Sequence, residues 1–230
     1  MSETIEVRAI TPNDARGLSE CLTRCYGETY FKSILYRPEE TAALIEIGAY
    51  KGVVALSGGQ LIGHIAINRP DKHSEVVEAG TTIVDDRYRG TGVMGRMAHV
   101  LSELVLTEGA FGFVHFPTTA HVLMQRASLA SGGCETGILV GYIPAAMRDR
   151  TLGGPGNHRL CATVVYQPLV AAASRAIHVP ARYRAKVAAC AGHLGLQRTV
   201  ELPRALPVGP TRLERAYDEA RELEHFSISQ

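Results

Sequence analysis

The sequence predicts a mixed α/β fold, in which strand-like and helix-like segments alternate along most of the chain. The clearest unit is a strand-like run, Val76–Val84, followed by a glycine-rich turn and a helix-like run over 93–106. Two further strand-like runs, Lys51–Ser57 and Gln60–Asn68, flank Gly58-Gly59, a dipeptide typical of a tight hairpin turn. The run over 93–106 carries apolar residues at helical spacing, so one of its faces can pack on a sheet.

The remaining elements follow from hydrophobic periodicity and from turn residues. A helix is expected to start near Asn13, because an Asn, Asp or Thr in front of an apolar-periodic run is a typical cap. The other predicted elements up to residue 168 are strands at 5–10, 111–117, 134–142 and 159–168, a helix at 38–48, and a helix ending near Ser131. A glycine-rich loop over 148–158 separates the last two strands.

The chain changes character after residue 170. A helix-like run at 181–193 ends before Gly195, a short strand is expected at 197–201, and a proline-rich stretch follows. The charged segment 211–225 can be a helix or partly a strand. We therefore predict one domain over 1–170, and an α/β extension over 171–230 that is too small for a confident core of its own. The extension is expected to pack on the core or on a partner subunit, which leaves a homodimer possible.

Composition narrows the class of protein. The 230 residues carry a net charge of +1 and contain no Trp, which argues against a dedicated nucleic-acid surface. The five cysteines are odd in number and show neither a Cys-x-x-Cys pair nor zinc-ligand spacing, which indicates free thiols and no metal. The first residues are polar and acidic, and the apolar runs are too short to cross a bilayer. We expect a cytoplasmic protein without a membrane partner.

The turn after the strand at 76–84 reads Arg87-Tyr88-Arg89-Gly90-Thr91-Gly92. Gly90 and Gly92 permit unusual backbone angles, and a phosphate can approach bare backbone there. The first N–H groups of the following helix have no partner within it and favour an anion. A Walker sequence and a dinucleotide fingerprint are both missing, so a nucleotide triphosphatase or a Rossmann dehydrogenase is not expected.

In its context the Arg-x-x-Gly-x-Gly pattern resembles the pyrophosphate-binding motif of the GNAT superfamily of N-acetyltransferases. The resemblance covers residues 5 to 169 and includes the order of the elements. The chain is also similar to a bacterial subgroup with a C-terminal extension, through Cys-Tyr-Gly-x-x-Tyr, Glu-Thr-Gly-Ile-Leu-x-Gly-Tyr-x-Pro and Val-Pro-x-x-Tyr-Arg. The resemblance to the superfamily implies a central twisted sheet, mixed but mostly antiparallel, that is flanked by helices. It also implies acetyl-CoA or another acyl-CoA as co-substrate.

The resemblance also implies a binding mode for the acyl-CoA. Backbone N–H groups of the motif would hold the diphosphate, and the strands at 74–85 and 111–117 would splay apart around the pantetheine. An N–H near Ile83 or Val84 would bind the thioester oxygen. The residues expected to bind the co-substrate are Ile83, Val84, Arg87, Arg89, Gly90, Thr91, Gly92, Val93 and Met94.

The catalytic residues are less well defined. By the resemblance, the acid that protonates the thiolate is a Tyr, and Ser128 stands at its position. Ser128 can donate the proton through a water molecule, or His121 or Gln125 can donate it instead. The thiolate can also leave without a proton donor. For the base, Glu78 ranks first and His64 second, and His115 is a third candidate.

Substrate contacts are expected from the loop between the first two helices, where Tyr26, Glu28 and Tyr30 combine aromatic rings with a carboxylate. The predicted function is transfer of an acetyl group from acetyl-CoA to a small amine or amino acid, by direct attack in a ternary complex. Two alternatives stay open. One is a catalytically silent acyl-CoA-binding module that regulates a partner, and the other is a transferase that uses an aminoacyl-tRNA or a carrier-bound acyl donor.

Overall fold

The structure, a computed structural model, describes residues 4–69, 74–150, 157–171, 173–202, 212–219, 221 and 223–229. Seven strands form the central sheet: β1 Ile5–Ala9, β2 Lys51–Ser57, β3 Gln60–Asn68, β4 Val76–Val84, β5 Gly112–His115, β6 Cys134–Ile143 and β7 Leu160–Pro168. Their order across the sheet is β1-β2-β3-β4-β5-β7-β6. Four helices flank it: α1 Ala15–Tyr26, α2 Pro38–Glu46, α3 Val93–Thr107 and α4 Leu123–Ala130.

Most neighbouring strands run antiparallel, and β4 with β5 is the parallel pair of this sheet. These two strands pair over three residues, with Val76, Val77 and Glu78 opposite Gly112, Phe113 and Val114. Residues 79–84 of β4 continue along β3 and are not paired with β5. The sheet therefore opens between β4 and β5 after Glu78, at the place where the sequence resemblance implies diverging strands.

A β-bulge in β4 lies beside this opening. The register between β3 and β4 shifts so that Thr81 and Thr82 together face Ile65. Thr81 adopts φ 48°, a left-handed conformation that β-branched residues rarely take and that costs about 1–3 kcal/mol. The Thr81 hydroxyl accepts a hydrogen bond from Lys32 Nζ at 3.2 Å. The loop after α1 therefore helps to hold the bulge.

Apolar layers cover both faces of the sheet. On one face, α3 packs through Val93, Met97 and Leu101, which belong to the stripe that the helical periodicity predicts. On the other face, α1 packs through the fully buried Leu18 and Leu22. The two layers hold β3 and β4 between them, so the opening beside β4 lies in the middle of the domain.

The segment after β7 contains a parallel pair of strands, β8 Arg175–His178 and β9 Arg198–Glu201, connected through α5 Arg184–His193. A hairpin follows, with β10 Arg212–Asp218 antiparallel to β11 Leu223–Ser229. The charged segment, for which the sequence allows either a helix or a strand, thus contributes to this hairpin. Arg175 reaches back to the core, where its Nη2 lies 2.9 Å from both carboxylate oxygens of Glu75.

His64 is a fully buried polar residue of β3. Its Nδ1 lies 3.0 Å from the carbonyl oxygen of Val53, so this nitrogen carries the proton and donates. Its Nε2 lies 2.8 Å from the hydroxyl of Tyr50, which then donates to it. Burial lowers the pKa of His64 to about 4. Both ring nitrogens are used by the fold, and the neutral form is favoured.

We predict that His64 makes the protein less stable in mild acid. Below the ordinary His pKa of about 6.5 His64 is protonated in the unfolded chain, whereas in the folded protein it stays neutral down to about pH 4. Acidification therefore favours the unfolded state. The stability that neutral His64 contributes is present above pH 6.5 and is lost as the pH falls. From pH 7 to pH 5 the loss is about 2 kcal/mol. Urea unfolding at both pH values would show it, and His64→Gln should lose clearly less over the same interval. An equal loss in both proteins would contradict the assignment.

Candidate active site

A buried carboxylate fixes the junction between β4 and the glycine-rich turn. Asp85 is 1% exposed and accepts from Arg24 Nε at 2.7 Å and from Arg87 Nε at 3.0 Å. Hydrogen bonds from Arg87 and then Arg24 hold the pKa of Asp85 well below its usual range. Asp85 is not among the site residues predicted from sequence, although a carboxylate directly before an arginine-rich turn can indicate an ion pair that fixes the turn.

The turn and the start of α3 present backbone amides. Gly90 and Gly92 adopt φ +79° and +82°, and a Cβ placed on either would meet nothing within 4 Å. Within the described ranges, no hydrogen-bond acceptor is found for the N–H groups of Gly90, Gly92, Val93, Met94 and Gly95. The first amide of the helix to be satisfied is that of Arg96, which donates to Gly92. Together with the helix dipole these amides form an anion-binding surface.

The arginine side chains of the motif are directed toward protein groups. Arg87 binds Asp85, and Arg89 donates from Nε to the carbonyl of Val84 at 3.0 Å and from Nη2 to Asp149 at 3.0 Å. The Nη2 of Arg96 donates to the carbonyl of Ile5. These guanidinium groups hold the loop and its surroundings in place. The anion surface therefore consists of backbone N–H groups, with the positive charges behind them.

Three connected cavities follow the opening in the sheet. The motif cavity, about 360 Å³, is lined by the turn, the start of α3 and the end of β4. The helix cavity, about 210 Å³, lies between α3, α4 and β5. The aromatic cavity, about 130 Å³, lies on the side of the loop after α1. Thr82 and Met124 line all three, so the cavities meet at the bulge.

The motif residues contribute unequally to the motif cavity. Arg89, Gly90, Gly92, Val93 and Met94 line it, together with Ile83 and Val84. Arg87 and Thr91, which the sequence also predicts to bind the co-substrate, are not among its lining residues. Thr91 donates from its hydroxyl to the carbonyl of Tyr88 at 2.7 Å, so its contact stabilises the turn.

The N–H of Val84 faces the opening. Asp85 N–H donates to Ile62 C=O in β3 at 2.8 Å, and successive amides of a strand alternate between its two sides. Val84 N–H therefore points away from β3, toward the space that β5 leaves. The carbonyl of Val84 also points away from β3, because it accepts a hydrogen bond from Arg89 Nε and none from β3. By the same alternation Ile83 N–H faces β3, so of the two predicted amides Val84 is the one that a ligand in the opening can reach.

His121 lies where the motif cavity and the aromatic cavity join. It lines both of them, and its Nδ1 is buried with no hydrogen-bond partner in the described part of the chain. Burial lowers the pKa of His121, an effect that Asp149 opposes and Arg89 assists. A neutral imidazole with an unused nitrogen is thus available between the two cavities. Tyr26 lines the same junction, and burial raises its pKa, so its phenol stays protonated.

Glu78 lies at the end of the paired part of β4 and lines the aromatic cavity. Its Oε2 accepts from Asn68 Nδ2 at 3.0 Å, and its other oxygen can accept a proton from a group in the cavity. His115 also lines this cavity, but its Nε2 lies 3.0 Å from Gln167 Oε1, and burial lowers its pKa. Of the predicted bases, Glu78 is the one with an open position in the cavity.

Three of the predicted site residues are placed differently from what the sequence suggests. His64 lines none of the three cavities and both its nitrogens are occupied, which argues against a role as base. Glu28 is exposed and also outside the three cavities, so Glu78 supplies the carboxylate near the aromatic rings instead. Ser128 is buried in the helix cavity, and its hydroxyl has no partner among the residues described. Ser128 lines neither the motif cavity nor the aromatic cavity, which argues against a role as an acid there.

The aromatic cavity draws on distant parts of the chain. Tyr26, Tyr30 and Phe31 come from the end of α1 and its loop, with ring centroids 5.1 and 4.8 Å apart in sequence order. Tyr142 of β6 and Arg221 of the C-terminal segment complete the wall. The three rings come from the loop that the sequence predicts to contact the substrate, whereas no local pattern in the sequence links Tyr142 or Arg221 to that loop.

Other kinds of site find no support in the described residues. No helix there is long and apolar enough to cross a membrane. No group of three or more His, Cys, Asp or Glu side chains is placed to hold a metal ion in the same part of the chain. All five cysteines are free.

Known proteins resemble this chain in part of its sequence and in its fold. Residues 16–128 match the family model described as the acetyltransferase (GNAT) family. A structure of the ribosomal-protein-S18-alanine N-acetyltransferase from Escherichia coli has 13% identity and a TM-score of 0.56, covering 74% of this chain and 97% of that one. The yncA protein from Salmonella typhimurium, solved with its cofactor acetyl-CoA, has 15% identity and a TM-score of 0.58, covering 74% of this chain and 96% of that one.

A spermidine/spermine N-acetyltransferase from Vibrio cholerae has 13% identity and a TM-score of 0.57, covering 72% of this chain and 94% of that one. No curated protein sequence is a significant match to this chain. The mixed, mostly antiparallel sheet flanked by helices confirms the predicted fold class. Residues 16–128 thus match the GNAT acetyltransferase family model, and the solved acetyltransferase structures share the fold of this chain.

Proposed function

We propose that this protein transfers an acetyl group from acetyl-CoA to a small cytoplasmic amine, by direct attack in a ternary complex. The observation that carries the proposal is the set of amides at the start of α3 that have no acceptor among the described residues and lie at a cavity beside the opening between β4 and β5. An anion site joined to a gap in a sheet suits a ligand with a phosphate head and a long thin arm. Acetyl-CoA has this shape.

The diphosphate of acetyl-CoA would bind the amides between Gly90 and Gly95, and the pantetheine would pass beside Val84. Support for this placement comes from the Salmonella typhimurium protein of the same fold, which was solved with acetyl-CoA. The thioester would then reach the bulge at Thr82, where the three cavities meet. The acceptor amine would approach from the aromatic cavity on the other side.

The chemistry requires a proton acceptor and a stabilised leaving group. The amine nitrogen attacks the thioester carbonyl carbon, the C–N bond forms, and the C–S bond breaks to release the thiolate of CoA. Glu78 is placed to accept the proton that the nitrogen loses, directly or through water. Val84 N–H would bind the arm or the oxyanion, and neutral His121 would donate a hydrogen bond to the thiolate.

A second candidate is a catalytically silent acyl-CoA-binding module. The observation in its favour is Ser128, which stands where the family resemblance implies an acidic Tyr and is buried away from the aromatic cavity. An aminoacyl-tRNA donor is less supported, because Arg87, Arg89 and Arg96 are engaged with protein groups and do not form an open basic surface.

The direct test measures thiol release from acetyl-CoA against a panel of small amines, alongside thermal unfolding with and without CoA. The proposal expects stabilisation by CoA and turnover with at least one amine. Stabilisation without turnover on any amine would favour the silent module. No stabilisation by CoA or acetyl-CoA would contradict both.

Gly92→Val should abolish CoA binding, because a branched side chain would occupy the open space over the amides and would also be strained at φ +82°. We expect a loss of affinity of at least about 100-fold by calorimetry, since several charge-assisted hydrogen bonds would be lost together. Gly109→Val is the matched control, because Gly109 has φ +79° and equally open surroundings at the other end of α3. Unchanged affinity in Gly92→Val would refute the placement.

Glu78→Gln should lower kcat by roughly 100-fold while leaving CoA affinity within a few-fold, because the amide cannot accept the proton. Glu28→Gln makes the same chemical change at an exposed carboxylate outside the cavities and should keep full activity. Steady-state kinetics with CoA calorimetry separates the two effects. Full activity in Glu78→Gln would move the base elsewhere, and a loss in Glu28→Gln would restore the prediction made from sequence.

His121→Ala should lower kcat by about tenfold, the value of one hydrogen bond to the leaving thiolate. His121→Gln retains an N–H donor and should recover part of this loss. His99→Ala, at an exposed histidine of α3, serves as control. If the Ala and Gln variants behave alike and match the wild type, His121 takes no part in the reaction.

A further inference from the structure

Arg221, which lies between β10 and β11, enters the aromatic cavity from the C-terminal segment. Its guanidinium carbon lies 4.8 Å from the ring centroid of Phe31 and 4.8 Å from that of Tyr142. Its Nη1 lies 2.7 Å from Asp218 Oδ2, and the side chain is 15% exposed. The backbone carbonyl of Arg221 accepts a hydrogen bond from Arg159. The group is therefore held from several sides inside the cavity where the acceptor amine is expected.

The surroundings of Arg221 are those of a cation-binding cage. Two aromatic rings attract a planar cation through their faces, and the cavity also contains the carboxylate of Glu78. Tyr26 and Tyr30 add apolar area and phenol oxygens to the same wall. Such a cage selects a positively charged group over a neutral or negative one, and in this structure the chain's own guanidinium occupies it.

Arg221 fits the cage incompletely. Its Nε is buried and has no hydrogen-bond acceptor among the described residues. A buried donor without a partner is unfavourable, so this arrangement is less stable than one in which every donor is satisfied. A cationic group of a ligand that is held at a slightly different position can therefore compete with Arg221 for the space between the two rings.

The hairpin that carries Arg221 has few attachments in the described chain. β10 and β11 form a sheet of their own and pair with each other, separate from the seven-stranded sheet. The side chains of β10 from Arg212 to Tyr217 are exposed. An element with little buried apolar area opens at low free energy, so Arg221 can leave the cavity without unfolding of the domain.

We propose that Arg221 is an internal occupant of the acceptor site, and that the acceptor is an amine carrying a second, guanidinium-like or ammonium cation that replaces it. The inference rests on the proposed function, because it assigns the aromatic cavity to the acceptor. The alternative, that Arg221 binds a carboxylate of the acceptor, is disfavoured. Nε of Arg221 has no acceptor among the described residues, but the cavity already contains the carboxylate of Glu78, and Asp218 is bound to Nη1, so a further carboxylate would be repelled there.

The first test measures binding without turnover. Arg221→Ala leaves the cage empty, so methylguanidine should bind this variant by calorimetry and raise its unfolding temperature, with no such effect on the wild-type protein. Arg221→Lys keeps a cation on the hairpin and should bind methylguanidine less well than Arg221→Ala. Arg182→Ala is the matched control, since Arg182 stacks on Tyr183 in the same C-terminal segment but outside the three cavities. A single cooperative thermal unfolding transition, measured without any ligand, shows that each variant is folded.

The second test compares three primary amines of similar length whose far ends differ: agmatine with a guanidinium, pentylamine with a methyl group, and 5-aminopentanoate with a carboxylate. If Arg221 fills the cage in about nine of ten molecules, its removal should lower KM for agmatine by about tenfold. The KM for pentylamine should change little. A higher KM for 5-aminopentanoate with no change for agmatine would overturn the inference, as would identical behaviour of all three amines.

The two tests separate the inference from the proposed function. Binding of methylguanidine to Arg221→Ala without turnover of any amine by any variant would retain the cation cage and reject the acetyltransferase. Turnover of amines with no binding of methylguanidine to Arg221→Ala would retain the enzyme and reject the internal occupant.

Discussion

The site depends on the bulge in β4 at Thr81. Thr81 has a strained φ of 48° at a register shift against β3, and this shift lies in the part of β4 that is not paired with β5. Lys32 donates to the Thr81 hydroxyl. Burial raises the pKa of the Tyr30 and Tyr50 phenols, and the nearby Thr81 hydroxyl opposes this rise. The loop after α1 thus binds the strained residue and also lines the aromatic cavity beside the opening. One local distortion connects the architecture of the sheet to its chemistry.

At the motif, backbone N–H groups form the anion-binding surface, and the arginine side chains fix the positions of these groups. Asp85 is bound by Arg24 and Arg87, and Arg89 links Val84 to Asp149. These ion pairs fix the turn, so its amides stay oriented toward the cavity without a ligand. Preorganised N–H groups lose little freedom when an anion binds. The arginines that look like phosphate ligands in the sequence act through the positions of the amides.

Local patterns predicted most of the fold, and the bounds of Lys51–Ser57 and Val76–Val84 agree with the structure. Alternation and glycine turns are local signals, which is why they could be read. The site was only partly predictable, because its walls come from contacts between distant segments. His64 was ranked as a base because the pattern of β3 does not show that Tyr50 and Val53 use both its nitrogens. Arg221 was missed because an alternating charged segment gives no sign of where it folds back.

The most direct test of the account is a crystal structure with acetyl-CoA or a nonreactive acyl-CoA analogue. It should show the diphosphate oxygens within about 3 Å of the amides between Gly90 and Gly95, and the pantetheine between β4 and β5 beside Val84. A ligand bound elsewhere, or β4 and β5 paired along their whole length in the complex, would contradict the account.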